Sequence, residues 1–188
     1  TATQVVKLRT AHITMAHHSV LVLDGNEFST LAIVRSLGRQ QLDVTVGAET
    51  DHHRPIARYS KYTKDFFSYP NPLNNADAFV DNIIGYLEHH AFDLVIPVTE
   101  RTSLPLARRR VERERYSRLA LPEYDVLEFA SNKQQTFDLA QAEGIPVPQG
   151  IHIDDEQTLH VIAPTLSYPI VIKPSRSVAD SSTTRVKL

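Results

Sequence analysis

Two lysines, Lys133 and Lys173, carry the most specific chemical signal in the sequence. Lys133 lies in the first turn of a predicted helix, where the helix dipole mildly disfavours a cation. Lys173 ends the apolar run from Ile170 to Ile172, and a lysine at the exit of a buried strand must reach an anion or solvent to stay charged. Either lysine alone would be an ordinary surface residue. Both placements become favourable if the two ammonium groups face one polyphosphate.

Polar residues at strand ends form a second candidate site, for a small-molecule substrate. Glu27 lies in the turn DGNEFS after the first predicted strand, and Thr99 and Glu100 end the segment PVTE after a later one. Open α/β sheets bind ligands at the carboxyl edge of their strands. A structural alternative stays open at both places, since Asn26 or Ser29 could cap one helix and Thr99 the next.

The turn after the first strand lacks the glycine pattern of a dinucleotide-binding enzyme. A fingerprint that begins at Gly25 requires glycines at positions 27 and 30, where the sequence has Glu27 and Thr30. A carboxylate at position 27 would also repel a pyrophosphate. A nicotinamide site at this turn is therefore disfavoured.

Two other charged patterns are more simply explained by structure. Three pairs of adjacent histidines point to different sides of any strand or helix, and no two histidines have the spacing HxH or HxxxH, so a metal centre is not predicted. The run ARRRVERER alternates charge at helical spacing and contains no aromatic residue. It is typical of a solvated helix face, not of a nucleic-acid patch.

These residues depend on elements that alternate along the first part of the chain. Val20 to Asp24 and Leu42 to Gly47 read as buried strands, and the intervening residues 26–38 have helical spacing, with Gly38 placed to end the helix. Further along, the pattern predicts helices over 76–90 and 103–117 and strands over 92–98 and 118–122, with residues 48–75 as a loop. Strands that alternate with helices predict a doubly wound, mainly parallel α/β domain.

The pattern changes after Pro122. Short helices are predicted over 126–130 and over 131–144, the second capped by Ser131 or Asn132 and ended by Gly144. An extended segment, a helix over 154–166 and a closing strand over 168–174 follow. The chain is therefore divided into a lead-in arm (1–18), a Rossmann-like domain (19–130) and the start of a second domain (131–188).

Composition sets limits on function. Hydrophobic residues make up 41% and charged residues 22% of the 188 residues, which is typical of a globular protein. The formal net charge of −2 gives no field for recruiting nucleic acid, and no apolar run has the roughly 18 residues of a membrane span. A chain without cysteine fits the reducing cytoplasm. No nucleic-acid or membrane partner is expected.

The stretch SNKQQTFDLAQAEGIPVPQG, followed by YPIVIKPSRS, resembles the opening of an ATP-grasp domain. Relatives include biotin carboxylases, the large subunit of carbamoyl phosphate synthetase, D-alanine ligases and similar carboxylate–amine ligases. The resemblance implies that Lys133 and Lys173 contact the phosphates and adenine edge of ATP. It also implies that residues 19–130 form the pre-ATP-grasp domain and that residues 131–188 begin an α+β ATP-grasp subdomain.

The same resemblance gives a role to the hydroxyl-rich residues near the end of the sequence. In the family, a loop rich in glycine and serine follows the lysine-bearing strand and closes over the β- and γ-phosphates. Ser181, Ser182, Thr183 and Thr184 occupy this position, although residues 175–188 contain no glycine. These hydroxyls are therefore expected to help bind ATP, with residues 175–184 as the lid.

The implied activity is that of an ATP-dependent ligase. A carboxylate or bicarbonate becomes an acyl phosphate, which an amine or ammonia then attacks, so the partners are ATP and a small-molecule carboxylate or amine. The Mg²⁺ ligands and a catalytic arginine are expected beyond Leu188, no metal ligand is assigned within the sequence, and residues 1–188 are expected to be inactive alone. The oligomeric state is open, with a homodimer among the options.

Two alternatives belong to other classes of protein. An oxidoreductase dependent on NAD(P), or an enzyme that uses a sugar nucleotide, would share the opening βαβ unit but should have the missing glycines. A non-catalytic α/β interaction module would need neither lysine and would ignore nucleotides.

Overall fold

The computed structural model describes residues 18–51, 54–110, 115–153 and 155–176. Almost all of the predicted lead-in arm lies outside these ranges. So do Ser181, Ser182, Thr183 and Thr184, which were predicted to cover the phosphates. The helices described below are all too short or too polar to cross a bilayer.

The described residues form a five-stranded sheet with the order β3-β2-β1-β4-β5, in which every neighbouring pair is parallel. The strands are β1 (Ser19–Val22), β2 (Asp43–Glu49), β3 (Thr63–Tyr69), β4 (Leu94–Ile96) and β5 (Arg118–Leu119). Because the strands are parallel, the carboxyl ends of β1, β2 and β4 lie side by side at one edge.

Helices connect the strands and continue after them. They are α1 (Phe28–Arg39), α2 (Ala76–His89), α3 (Glu100–Arg108), α4 (Tyr124–Ser131), α5 (Lys133–Ala142) and α6 (Glu156–Ile162). Short 3₁₀ turns occupy Ile56–Tyr59 and Ala163–Thr165. The predicted α/β class, with a mainly parallel doubly wound sheet, is confirmed.

The two faces of the sheet carry separate apolar cores, and β1 contributes to both. Leu21 and Leu23 pack with residues of α2 and α3 on one face. Val20 and Val22 pack with Val34 of α1 and the inner residues of β2 on the other. Alternate side chains of a strand point to opposite faces, so a continuous apolar run is what a strand covered on both sides requires.

One strand was missed by the sequence analysis, which assigned residues 48–75 to a loop. Residues Thr63–Tyr69 form β3, the edge strand beside β2. Lys64 and Asp65 are consecutive and both exposed, where the register between β3 and β2 is irregular, so these two polar residues interrupt the apolar pattern. The aromatic rings of the strand pack inward instead, with Phe67 stacked on Tyr86 at 3.8 Å between ring centroids.

The predicted closing strand over residues 168–174 is wrong. The structure gives these residues no strand, and Val171 and Ile172 are 81% and 65% exposed. A β-branched run can extend, but a strand needs a neighbour to receive its backbone hydrogen bonds, and none of the described strands lies beside it.

The capping of α5 agrees with the sequence. Asn132 is its N-cap and accepts hydrogen bonds from the amides of Gln134 and Gln135 at 3.0 and 3.2 Å. Gly144 follows the helix with a φ of +70°, a conformation that glycine adopts without strain. Gly38, by contrast, does not end α1, which continues through Arg39.

Candidate functional site

Asp24 is the centre of a polar cluster at the carboxyl edge of the sheet. Its side chain is buried, and its Oδ2 atom accepts hydrogen bonds from the Val98 amide (3.0 Å), the Thr99 amide (2.8 Å) and the Thr102 hydroxyl (2.6 Å). The carboxylate at the end of β1 therefore fixes the turn between β4 and α3. Asp24 has a φ of +60°, in the left-handed region that aspartate tolerates better than most residues.

Tyr69, at the end of β3, belongs to the same cluster. Its hydroxyl oxygen accepts a hydrogen bond from the Asp24 amide at 2.9 Å, and the hydroxyl lies 3.4 Å from Asp24 Oδ1. Burial raises the pKa of the Tyr69 hydroxyl well above its ordinary value, and the nearby Asp24 carboxylate raises this pKa further. The hydroxyl therefore stays protonated and acts as a fixed structural group.

Arg101, in the first turn of α3, pairs with two carboxylates from different strand ends. Its Nη2 atom is 2.9 Å from Glu27 Oε1 and its Nη1 atom is 3.4 Å from Glu49 Oε1. Glu49 ends β2 and is only 2% exposed, whereas the Glu27 side chain is 41% exposed. The guanidinium thus links the turn after β1 to the end of β2, and Glu27 remains open to solvent.

Two buried oxygen atoms beside this cluster accept no hydrogen bond from the described residues. They are Asn26 Oδ1 and Thr99 Oγ1. Thr99 is at the N-cap position of α3, but its side chain accepts no bond from the helix amides. Buried polar atoms nearly always have a partner, so both atoms favour a donor from water or from a bound molecule. Side-chain capping by Thr99, the structural alternative, is not what the structure has.

The structure brings two of the three predicted substrate residues into contact with the same cluster. Glu27 joins it through Arg101, and Thr99 joins it through the bond from its amide to Asp24. Glu100 is the first residue of α3 and is partly buried.

Five members of the cluster were missed by the sequence analysis. They are Asp24, Glu49, Tyr69, Arg101 and Thr102. Asp24 had a visible signal, because an acidic residue directly ends an apolar strand. The other four did not, because their roles depend on how separate elements align.

The second predicted site is the junction between the start of α5 and the segment after Lys173. The Lys133 amide donates a hydrogen bond to the Ser175 carbonyl oxygen at 2.9 Å. Ser175 is two residues beyond Lys173, so the structure brings the surroundings of the two predicted lysines together. Lys173 itself is exposed.

An ion pair accompanies this hydrogen bond. Arg176 Nη2 lies 3.6 Å from Glu128 Oε1 on α4, and both side chains are about two-fifths exposed. Burial raises the pKa of Tyr124, and the nearby Glu128 carboxylate raises it further. Glu128 therefore lies close to the Tyr124 hydroxyl on its own helix and pairs with Arg176 from the segment after Lys173.

An open groove of about 310 Å³ lies beside Lys133. Its lining residues come from α4, α5 and the segment after it: Ala130, Lys133, Thr136, Phe137, Ala140 and Val147. The groove is shallow and mainly apolar, with Lys133 at one side.

The described residues do not supply a metal centre. No group of three or more His, Asp or Glu side chains within them is arranged to hold a metal ion. The described residues alone therefore do not fit as a Mg²⁺ site.

Comparison with known proteins gives matches among solved structures only. No family model and no curated protein matches the chain. The biotin carboxylase domain of the Hydrogenobacter thermophilus 2-oxoglutarate carboxylase, a dimer with MgADP, ADP and bicarbonate, is 18% identical with a TM-score of 0.54, and the match covers 80% of this chain and 33% of that one.

Two further solved structures match with similar identity, TM-score and coverage. Biotin carboxylase from Campylobacter jejuni, in a β,γ-ATP complex, is 15% identical with a TM-score of 0.55, covering 80% of this chain and 34% of that one. The biotin carboxylase subunit of a pyruvate carboxylase is 17% identical with a TM-score of 0.52, covering 81% and 34%. The chain thus spans about one third of the length of these structures. The predicted resemblance to biotin carboxylases is confirmed for the fold.

Proposed function

We propose that the chain is the amino-terminal part of an ATP-dependent ligase of the ATP-grasp type. The observation that carries the proposal is the hydrogen bond between the Lys133 amide and the Ser175 carbonyl, in a chain with the fold of biotin carboxylase domains. This bond joins the surroundings of two lysines that are 40 positions apart in the sequence. In this proposal residues 19–130 form the pre-ATP-grasp domain and residues 131–188 begin the ATP-grasp domain.

The proposed reaction activates a carboxylate or bicarbonate. ATP supplies the γ-phosphoryl group, the resulting acyl phosphate is attacked by an amine or ammonia, and inorganic phosphate leaves. Lys133 and Lys173 hold the polyphosphate by charge, which positions it and offsets its negative charge. Ser181, Ser182 and Thr183 are proposed as further contacts of the lid.

The start of α5 explains why lysine side chains are needed for this role. Asn132 accepts the amides of Gln134 and Gln135, and the Ser175 carbonyl accepts the amide of Lys133. The first amides of the helix are therefore already bonded. An anion at this place is held by side-chain cations instead of by free helix amides.

The carboxyl-edge cluster is proposed as the site of the nitrogen nucleophile. The cluster contains three carboxylates, from Asp24, Glu27 and Glu49, and one guanidinium, from Arg101, so it has an excess of negative charge. Thr99 Oγ1 is a buried oxygen that lacks a donor among the described residues. These features favour an amine or ammonium group, which brings N–H donors and positive charge. Glu27, Thr99 and Glu100 are the proposed contacts.

The experiment replaces Lys173 by Met in the full-length protein and measures MgATP binding by calorimetry. Loss of a charged contact should weaken binding by roughly 10-fold to 100-fold. The matched control is Lys64→Met, because Lys64 is an exposed lysine on the edge strand β3. Unchanged affinity in the Lys173 variant would remove the central claim.

A thermal-shift comparison separates the proposed ligase from the other protein classes. MgATP or MgADP should raise the melting temperature of the full-length protein, since a ligand that binds the native state stabilises it. A shift with NAD alone would favour an oxidoreductase, and no shift with any nucleotide would favour an interaction module. Residues 1–188 alone are expected to show no ligation.

A further inference from the structure

Arg176 is a basic residue that the proposed function does not yet use. It forms an ion pair with Glu128 at 3.6 Å, and the two side chains are 42% and 41% exposed. An ion pair with this exposure contributes at most about 1 kcal/mol to stability. The pair is therefore weak enough for a more highly charged anion to displace Glu128.

The position of Arg176 is fixed by the backbone and not by Glu128 alone. The Ser175 carbonyl, in the preceding residue, accepts the hydrogen bond from the Lys133 amide. This bond holds the backbone of Arg176 beside the first turn of α5. Lys173 is three residues earlier on the same segment, so the backbone bond brings together two stretches of chain that carry three basic residues.

Glu128 would remain in contact with solvent if Arg176 moved away. Its side chain is 41% exposed even while the ion pair is formed. Release of Arg176 therefore leaves a partly exposed, hydrated carboxylate and not a buried one. The exchange carries little of the penalty that accompanies an unpaired buried charge.

We propose that Arg176 is a third cation of the polyphosphate site and that Glu128 competes with the polyphosphate for it. This inference rests on the proposed function. It adds Arg176 as a contact of the polyphosphate and Glu128 as a residue that lowers the affinity. A guanidinium group donates two parallel hydrogen bonds to phosphate oxygens, which a lysine does not. Glu128 then lowers the affinity for ATP by holding Arg176 on α4.

The test is a double-mutant cycle in the full-length protein, with MgATP affinity measured by calorimetry. Arg176→Ala should weaken binding about 10-fold, and Arg176→Lys should give an intermediate loss, because charge is kept but the paired donors are not. Glu128→Gln should tighten binding about threefold. In the Arg176→Ala background, Glu128→Gln should have no effect, because the arginine that it releases is gone.

Controls of equal charge separate this contact from a general electrostatic effect. Asp81→Asn removes an exposed carboxylate that pairs with Arg109, and Arg39→Ala removes an exposed cation at the end of α1. Both should leave the affinity for ATP unchanged. Equal tightening by Glu128→Gln with and without Arg176 would overturn the inference, as would equal effects of the control variants.

A second probe separates phosphate binding from a structural role. Arg176→Ala should leave adenosine binding unchanged and weaken binding of inorganic triphosphate; an equal loss of adenosine affinity would overturn the inference.

Failure of the inference is also distinguishable from failure of the proposed function. If Lys173→Met weakens ATP binding and the Arg176 variants do not, only the third cation is wrong; if the unmodified protein binds no nucleotide, the proposed function is wrong.

Discussion

The carboxylate of Asp24 joins the end of β1 to the turn before α3 through three hydrogen bonds. Replacement by Ala would leave two amides without an acceptor, would leave the Thr102 hydroxyl only its longer bond to the Thr99 carbonyl at 3.2 Å, and would place Ala at a positive φ. We expect Asp24→Ala to lower the free energy of unfolding by about 3 to 5 kcal/mol, and Asp24→Asn by about 1 to 2 kcal/mol, because Asn keeps an acceptor and tolerates this φ. Urea denaturation measures both.

Two further variants separate strain from hydrogen bonding at Asp24. Asp24→Gly relieves the positive φ but removes the acceptor, so it should be nearly as unstable as Asp24→Ala if the bonds dominate. Tyr69→Phe keeps the Asp24 carboxylate but removes the bond from the Asp24 amide and the longer bond to Asp24 Oδ1, and it should cost about 1 kcal/mol. Equal stability of the Gly variant and the unmodified protein would show that the carboxylate bonds contribute nothing.

Asp93 gives a pH dependence whose sign follows from its contacts. The Ser19 amide donates to Asp93 Oδ2 at 2.7 Å and, with the nearby His18, lowers the pKa of the Asp93 carboxyl below its ordinary value of 3.8. The stabilisation is therefore present above that value and is lost as pH falls through the lowered pKa. The difference in urea midpoint between Asp93→Ala and the unmodified protein should be clear at pH 5 and shrink below pH 3.

Asp51→Asn is the matched control for this pH dependence, since Asp51 is an exposed residue of a turn. A loss at low pH of the same size in this variant would mean that the pH dependence does not come from the contacts of Asp93. A difference for Asp93→Ala that grows as the pH falls would contradict the assigned sign.

At the scale of elements, helix propensity and packing make opposite predictions for Gly38. Propensity alone predicts that Gly38→Ala stabilises α1 by up to about 1 kcal/mol. A Cβ at this position would lie only 2.4 Å from Tyr62 Cβ, so the helix would have to move away from the 62–63 segment. We expect the variant to be destabilised by about 1 to 3 kcal/mol.

Gly85 in α2 provides the control for Gly38. A Cβ there would have nothing within 4 Å, so Gly85→Ala should stabilise the protein by a few tenths to 1 kcal/mol. Thermal unfolding of both variants checks the pair. If Gly38→Ala also raised the stability of the protein, the contact between α1 and Tyr62 would leave room for a larger residue at position 38.

The elements also show what the sequence can predict and where it stops. Buried strands such as β1 have continuous apolar runs because both faces are covered, so β1, β2 and β4 were predicted correctly. The edge strand β3 was missed, since its consecutive exposed residues Lys64 and Asp65 interrupt the alternation. The run before Lys173 was predicted as a strand because propensity does not report whether a neighbouring strand is present.

The residues of the candidate sites, like the strands, were predicted only in part from the sequence. Glu27 and Thr99 were predicted because the carboxyl edge of a parallel sheet is a general binding position. Arg101 and Glu49 were missed because their pairing requires the register of β1 against β2 and the turn that Asp24 fixes. At the lysine junction, the pattern of Lys133 and Lys173 was visible in the sequence, whereas the Arg176 pair with Glu128 depends on where the later segment folds back.

At the scale of the whole molecule, burial is divided unequally along the chain. The inner residues of β1, β2 and β4 are fully buried, whereas none of the described residues from 132 to 176 is buried. Exposed apolar side chains are frequent in the later part, among them Ile145, Val161 and Ile172. Local opening is easiest where few apolar contacts must be broken.

Hydrogen exchange of the 188-residue chain should therefore separate these two parts. Amides of β1, β2 and β4 should exchange only through the larger openings that expose the sheet. Amides of residues 146–153 and 167–174 should exchange within the shortest labelling times, because these segments lack buried side chains, helices and strand partners. The Lys133 amide, bonded to Ser175, should be intermediate. Mass spectrometry of peptides from 19–24, 43–49, 146–153 and 167–174 measures the difference. Protection of 146–153 and 167–174 equal to that of β2 would mean that these segments are covered by contacts absent from the described fold.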